Sequence, residues 1–211
     1  MLRKSHFNRR QYKITELFLV VFDLLGDFWK ELNEQRVYIM DSFPISACDN
    51  YRIPRCHLYQ HEAWRGYQAS KKRYYYGLKI HLMVTEHGQP VEFFLTPGSW
   101  SDNRALKMYK FDLPEGAFLT GNKAYTDYAF ENVLKEAQID LQPLQKKNSK
   151  RPAPAWITYL SACYLKVIET TGNLLEQLLP KHIHPITARG FELKLALFVL
   201  ATSVNFLKVA T

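Results

Sequence analysis

At 211 residues, 47% hydrophobic and 14% aromatic, the chain has an ordinary globular composition and enough apolar mass to bury its own core, which fits one domain with an appended helical arm. Its 28 Lys and Arg against 20 Asp and Glu give a formal charge of +8 and a pI of about 9.3, a balance that favours a polyanion such as nucleic acid over an acidic small molecule. The three cysteines are odd in number, which argues against a secreted disulfide framework and for a reducing compartment.

Cys48, Cys56, His57 and His61 lie close in sequence, but Cys-x7-Cys followed at once by His matches no common zinc spacing. Residues 1–10 are basic with no apolar run behind them, so they do not read as a signal peptide. The longest uncharged apolar run, Leu195 to Leu207, is short for a bilayer and suits a buried core helix, so no membrane partner is expected.

In chain order, Ile14, Leu17, Phe18, Val21, Leu25, Phe28 and Leu32 recur at helical spacing and predict an amphipathic helix over 9–33, bent at Gly26. Residues 1–35 form the arm on this reading and residues 36–211 the main domain. Val37-Tyr38-Ile39-Met40 then runs straight into Asp41. A strand without polar alternation is covered on both faces, and Ser42-Phe43-Pro44 reads as the turn that ends it, because proline has no backbone donor. A carboxylate at the mouth of a buried strand is either a turn-forming cap or functional.

From Ala47 to Arg73 there is little periodicity, but cations alternate with Tyr51, Tyr59, Trp64 and Tyr67, a mixture that suits phosphate contact and base stacking. Tyr74, Tyr76, Leu78, Ile80, Leu82 and Val84 alternate with polar or small residues, as do Val91, Phe93 and Leu95, so 74–96 reads as an antiparallel hairpin turning at Gly88. Ser101 or Asp102 caps a helix over roughly 102–111. Ala117 to Thr120 is a second short apolar strand that ends in Gly121-Asn122-Lys123, as the first ends in Asp41. A helix through Phe130, Val133, Leu134 and Ala137 follows, then a strand over 139–144 and an exposed basic loop over 146–154. A long helix over 156–179 presents Leu160, Cys163, Tyr164, Val167, Leu174, Leu175 and Leu178 to a core, with Glu169 among them, and a closing helix over 190–208 is apolar enough to be buried on nearly every side.

Three antiparallel strands followed by two strands on helical crossovers match the ribonuclease H-like α/β layout: a mixed five-stranded sheet flanked by helices, with the first and fourth strands adjacent. Asp41 and position 122 then open onto one crevice at the carboxyl ends of neighbouring strands, with Glu169 in reach from a later helix.

The residues also carry a resemblance. Asp41-Ser42-Phe43-Pro44, Arg65-Gly66-Tyr67 through Ser70-Lys71-Lys72, Tyr76-Gly77-Leu78-Lys79, Pro97-Gly98-Ser99 with Asp102, Gly121 to Tyr128, Lys147-Asn148-Ser149-Lys150, Ile168-Glu169-Thr170 and Thr187 to Lys194 are similar, in order, to stretches of DDE-type insertion-sequence transposases, most specifically the insertion-sequence 982 group. The resemblance implies DNA strand cleavage and transfer during transposition, with Asp41, position 122 and Glu169 as catalytic, metal-binding residues for two Mg²⁺ or Mn²⁺ ions. Two such ions stabilise the attacking and leaving oxygens of an in-line displacement, and they prefer anionic oxygen ligands. Lys71, Lys72, Lys79, Lys123, Lys147, Lys150 and Arg189 are the cations expected to hold the DNA backbone. The implied partners are element ends and target DNA, with a homodimer in the DNA complex, and the implied place is the bacterial cytoplasm, at the nucleoid when DNA-bound.

There are two departures from the family's pattern. Where the group has Gly-Asp-Lys-Ala-Tyr, this chain has Asn122, which keeps an oxygen but removes a charge. The family also starts earlier, so the chain reads as an amino-terminally truncated copy. Two alternatives stand beside a transposase core: a non-catalytic DNA-binding remnant, favoured by Asn122, and a basic RNA-binding module. The latter needs exposed sheet aromatics, whereas Tyr74, Tyr76 and Phe93 alternate like a core face.

Overall fold

The computed structural model describes residues 4–48, 56–69, 71–146, 149–179 and 187–207. Its centre is a six-stranded mixed sheet in the order β2-β3-β1-β5-β6, with β4 also pairing β3. The strands are β1 (Val37–Cys48), β2 (Arg65–Gln68), β3 (Arg73–Thr85), β4 (Pro90–Pro97), β5 (Ala117–Gly121) and β6 (Ile139–Leu141). Of the long strands, β3 runs antiparallel to both β1 and β4. β5 then lies parallel beside β1, from Val37↔Phe118 to Met40↔Gly121, and β6 lies parallel beside β5. This is the expected ribonuclease H-like arrangement with one short strand, β2, added at the edge.

Among the described residues the α-helices are α1 (Lys4–Lys13), α2 (Thr15–Leu32), α3 (Asp102–Met108), α4 (Tyr128–Glu136), α5 (Ala155–Leu178) and α6 (Ala188–Leu207). Strand alternation splits the core into two layers. Ile39, Ile80, Leu82 and Val84 pack with Ile168, Leu175, Phe191, Leu195 and Val199 of α5 and α6. Tyr38, Met40, Met83 and Leu119 pack with Leu106 and Leu134 of α3 and α4. Covered on both sides, Val37 to Met40 are all buried, as an unbroken apolar run requires.

Several expectations are corrected. β1 does not end at Ser42-Phe43-Pro44 but continues to Cys48, with Pro44 opposite Lys79. The pairing with β5 stops at Met40, so beyond it β1 has a neighbour on one side only, and a missing donor is tolerated along the free side. The amino-terminal helix breaks at Ile14 rather than bending at Gly26, and its buried residues are Phe22, Gly26 and Trp29. Ile14, Leu17, Val21, Phe28 and Leu32, expected inside, are exposed. Gly26 is where α2 meets β4: a Cβ there would collide with the Val91 carbonyl. α5 buries Ser161, Ile168, Thr171, Gly172 and Leu175, while Leu160 and Leu178 are exposed. α6 is 20 residues long and apolar enough to cross a membrane by length and composition alone. It packs against β4, α2 and α5 and leaves Val204 and Leu207 exposed, so it is not buried all round.

Candidate functional site

Asp41 is the first residue of β1 past its last pair with β5, and Asn122 directly follows the β5 partner Gly121. Their side chains therefore emerge side by side. The Asn122 Nδ2 donates to Asp41 Oδ1 at 2.7 Å, and the Asn122 Oδ1 accepts the Ala124 N–H at 2.8 Å, capping the short 3-10 turn Lys123–Tyr125. Asp41 Oδ1 also accepts its neighbour's N–H, from Ser42, at 2.8 Å.

Glu169 reaches the same place from α5. A Cβ at Gly172 would collide with the Phe43 ring, so the absence of a side chain lets the helix lie directly on β1 two residues past Asp41. Ile168 faces the core and Glu169, next to it, is exposed. Burial pushes the Asp41 carboxyl up to about 6; the Ser42 and Asn122 hydrogen bonds hold it down, while the charges of Asp102 and Glu169 raise it further.

Of the two expected caps of α3, Ser101 does the capping, its hydroxyl accepting the Arg104 N–H at 3.2 Å. The Asp102 carboxylate faces the site. Its Oδ1 accepts from Ser42 Oγ at 2.9 Å and from Lys79 Nζ at 3.0 Å, with both Asp102 and Lys79 largely buried. Lys79 Nζ also donates to the Trp100 carbonyl at 2.8 Å. Below this pair His81 is fully buried, bridging the Tyr125 hydroxyl and Thr96 Oγ1 at 3.0 Å each and stacked on Phe94. Burial lowers its pKa to about 4, with the Asp102 charge opposing and Lys79 assisting. Sequence patterning could have flagged Asp102 only through the Pro97-Gly98-Ser99 stretch it accompanies, because its partners are 60 and 23 residues away.

The expected DNA-holding cations are spread over the surface. Lys71, Lys72, Lys123, Lys150 and Arg189 are exposed, the first two at the β2–β3 turn and Lys123 beside Asn122. Lys79 does not belong with them, because its charge is committed to Asp102. Lys147 lies outside the described residues. Arg151 stacks over the Tyr128 ring at 5.0 Å and donates to Asn132 Oδ1 at 2.9 Å, tying the basic loop to α4.

Two donors fit a hard divalent ion. Asp41 is a carboxyl whose ionised form is disfavoured by burial and by two neighbouring carboxylates, and Glu169 is one of those neighbours, so a cation between them relieves the repulsion. Asn122 fits less well: its oxygen already accepts the Ala124 N–H and its NH₂, a donor, is turned to Asp41. Among the described residues no group of three or more His, Cys, Asp or Glu side chains is gathered to hold a metal.

A β1–β5 parallel pair with a carboxylate on the first strand just past its last pairing with the second, an aligned second position and a carboxylate from a later helix define a ribonuclease H-like core. The transposase DDE domain family matches residues 32–181, most of the chain, and the chain belongs to that family, whose members use divalent metal ions. It is also similar to the piggyBac transposase in the cryo-EM structure of its synaptic complex with hairpin DNA, with a TM-score of 0.53 and 9% identity over 80% of this chain. The chain spans 46% of the length of that transposase. No curated protein matches the sequence.

Proposed function

We propose that this chain is a transposase catalytic core that binds DNA through its exposed cations and has a weakened strand-cleavage centre. The observation that carries the reading is the Asn122 side chain, which donates into Asp41 and has its oxygen tied to the Ala124 N–H. Asp41 and Glu169 are the residues that would hold a divalent ion, and that ion would supply electrostatic stabilisation of phosphodiester oxygens. The protein's own part is to fix Asp41 through the Ser42 N–H and to keep Lys79 on Asp102, so that no lysine charge neutralises Asp41 directly. DNA as partner is further supported by the piggyBac neighbour, whose structure contains hairpin DNA.

The test compares the chain with Asn122→Asp by calorimetric Mg²⁺ and Mn²⁺ titration and by nicking of supercoiled DNA. Restoring the carboxylate is expected to raise metal affinity about tenfold or more and to increase nicking, since an anionic oxygen replaces an amide directed at Asp41. Equal affinity and equal nicking in the two proteins would remove position 122 from the ligand set.

A further inference from the structure

The β2–β3 hairpin carries a surface that phosphate binding by lysines leaves unexplained. Tyr67 and Tyr74 are directly opposed across the two strands, with ring centroids 5.0 Å apart. Both rings are about half exposed, at 53% and 47%, whereas the next residue along, Tyr75, is 3% exposed and packs inward. Of the aromatics expected to form a core face, Tyr74 is turned outward while Phe93 packs against the core, so the alternation does not exclude base contact at Tyr74. The Arg65 guanidinium lies over the Tyr74 ring at 4.2 Å and pairs with Glu62 at 3.3 Å, which holds it flat on the platform. Lys71, Lys72 and Arg73, all exposed, line the turn.

We infer that this hairpin is a stacking platform for unpaired bases of single-stranded DNA, with the turn lysines holding the adjacent phosphates. The inference rests on the DNA-binding reading above. Aromatic faces do not bind phosphate, and in a duplex the faces of bases are already stacked on one another, so exposed tyrosines framed by cations suit a strand whose bases are free. The position is fixed by β3, which runs unbroken from Arg73 to Thr85 with Leu82 opposite Asp41. From Leu82 to Tyr74 is eight residues along that strand. At about 3.3 Å per residue this is roughly 26 Å. The platform thus meets a strand roughly 26 Å from Asp41.

The experiment measures fluorescence anisotropy of the whole chain with a labelled duplex and with the same duplex carrying a single-stranded extension, each over a salt series. Tyr67→Ala with Tyr74→Ala is expected to weaken the extended probe about tenfold, leaving duplex affinity and the salt slope unchanged. Tyr67→Phe with Tyr74→Phe keeps the stacking faces and should bind as the unaltered chain does. Lys71→Ala with Lys72→Ala should weaken both probes and lower the salt slope by about 1.5 to 2. An equal loss on both probes, or no loss, in the alanine pair overturns the platform while leaving general DNA binding standing; failure to bind either probe overturns both readings. If the alanine pair does not fold, 2-aminopurine stepped along the extension reads the same contact in the unaltered chain. Quenching at a defined distance supports the platform, and no quenching at any position overturns it.

Discussion

At the site, burial rather than charge count sets the behaviour of Asp41 and His81, and it pushes them in opposite directions on the pH scale. The Asp41 carboxyl stands at about 6 in the folded chain against 3.8 unfolded, so the folded state holds the extra proton and stability declines as pH rises through that window. His81 stands at about 4 against 6.5, so the unfolded state holds the extra proton and stability rises with pH from about 4 to 6.5. Each shift corresponds to about 3 kcal/mol, and the two oppose each other between pH 4 and 6. In metal-free buffer the urea midpoint of the unaltered chain is expected to be nearly flat there. Asp41→Asn should leave the His81 slope alone, with a midpoint climbing towards pH 6.5, and His81→Gln should leave the reverse. A flat profile in Asp41→Asn would mean that Asp41 is not the compensating group.

Among elements, the seating of α5 on β1 decides whether Glu169 can serve the site at all. Gly172 lies directly on the Phe43 ring, and the core offers no spare volume there, since Ile168 and Leu175 on the same helix face are buried. Gly172→Ala improves helix propensity by about 1 kcal/mol but forces the helix off the ring, and overpacking of this kind typically costs about 1 to 3 kcal/mol. The expected result is a net loss of stability, with weaker metal binding because Glu169 moves away from Asp41; Phe43→Leu in the same chain should recover both. A stabilised Gly172→Ala protein with unchanged metal affinity would show that the close contact does not position Glu169. This contact was not legible in the sequence, because a glycine inside an apolar helix says nothing of what it meets. The strands β1 and β5 were legible, since unbroken apolar runs have one meaning in a mixed sheet. β2 was not, because Arg-Gly-Tyr-Gln has no period and forms a strand only through β3. The buried side of α2 was misread because that helix is apolar over more than one face, and periodicity cannot say which face the sheet covers. Of the site, Asp41 and position 122 could be aligned from strand ends, whereas Asp102 owes its place to contacts far apart in sequence.

For the molecule as a whole, the net charge of +8 is distributed so that not every expected cation is available to DNA. Lys71, Lys72, Lys123, Lys150 and Arg189 face solvent, while Lys79 is held by Asp102. If the five exposed cations each neutralise one phosphate of a duplex, the logarithm of the binding constant should fall against the logarithm of salt with a slope of about −4.5, a loss of roughly 500-fold between 50 and 200 mM. Contacts of this kind read no bases, so unrelated duplexes should bind alike. Lys123→Ala should reduce the slope by about 0.9, whereas Lys79→Met should leave it unchanged and lower thermal stability instead, because it strands the Asp102 charge. The measurement is filter binding over a salt series with two unrelated duplexes. A preference for one duplex that survives high salt would replace the electrostatic account with base readout, and a reduced slope in Lys79→Met would place that lysine on the DNA after all.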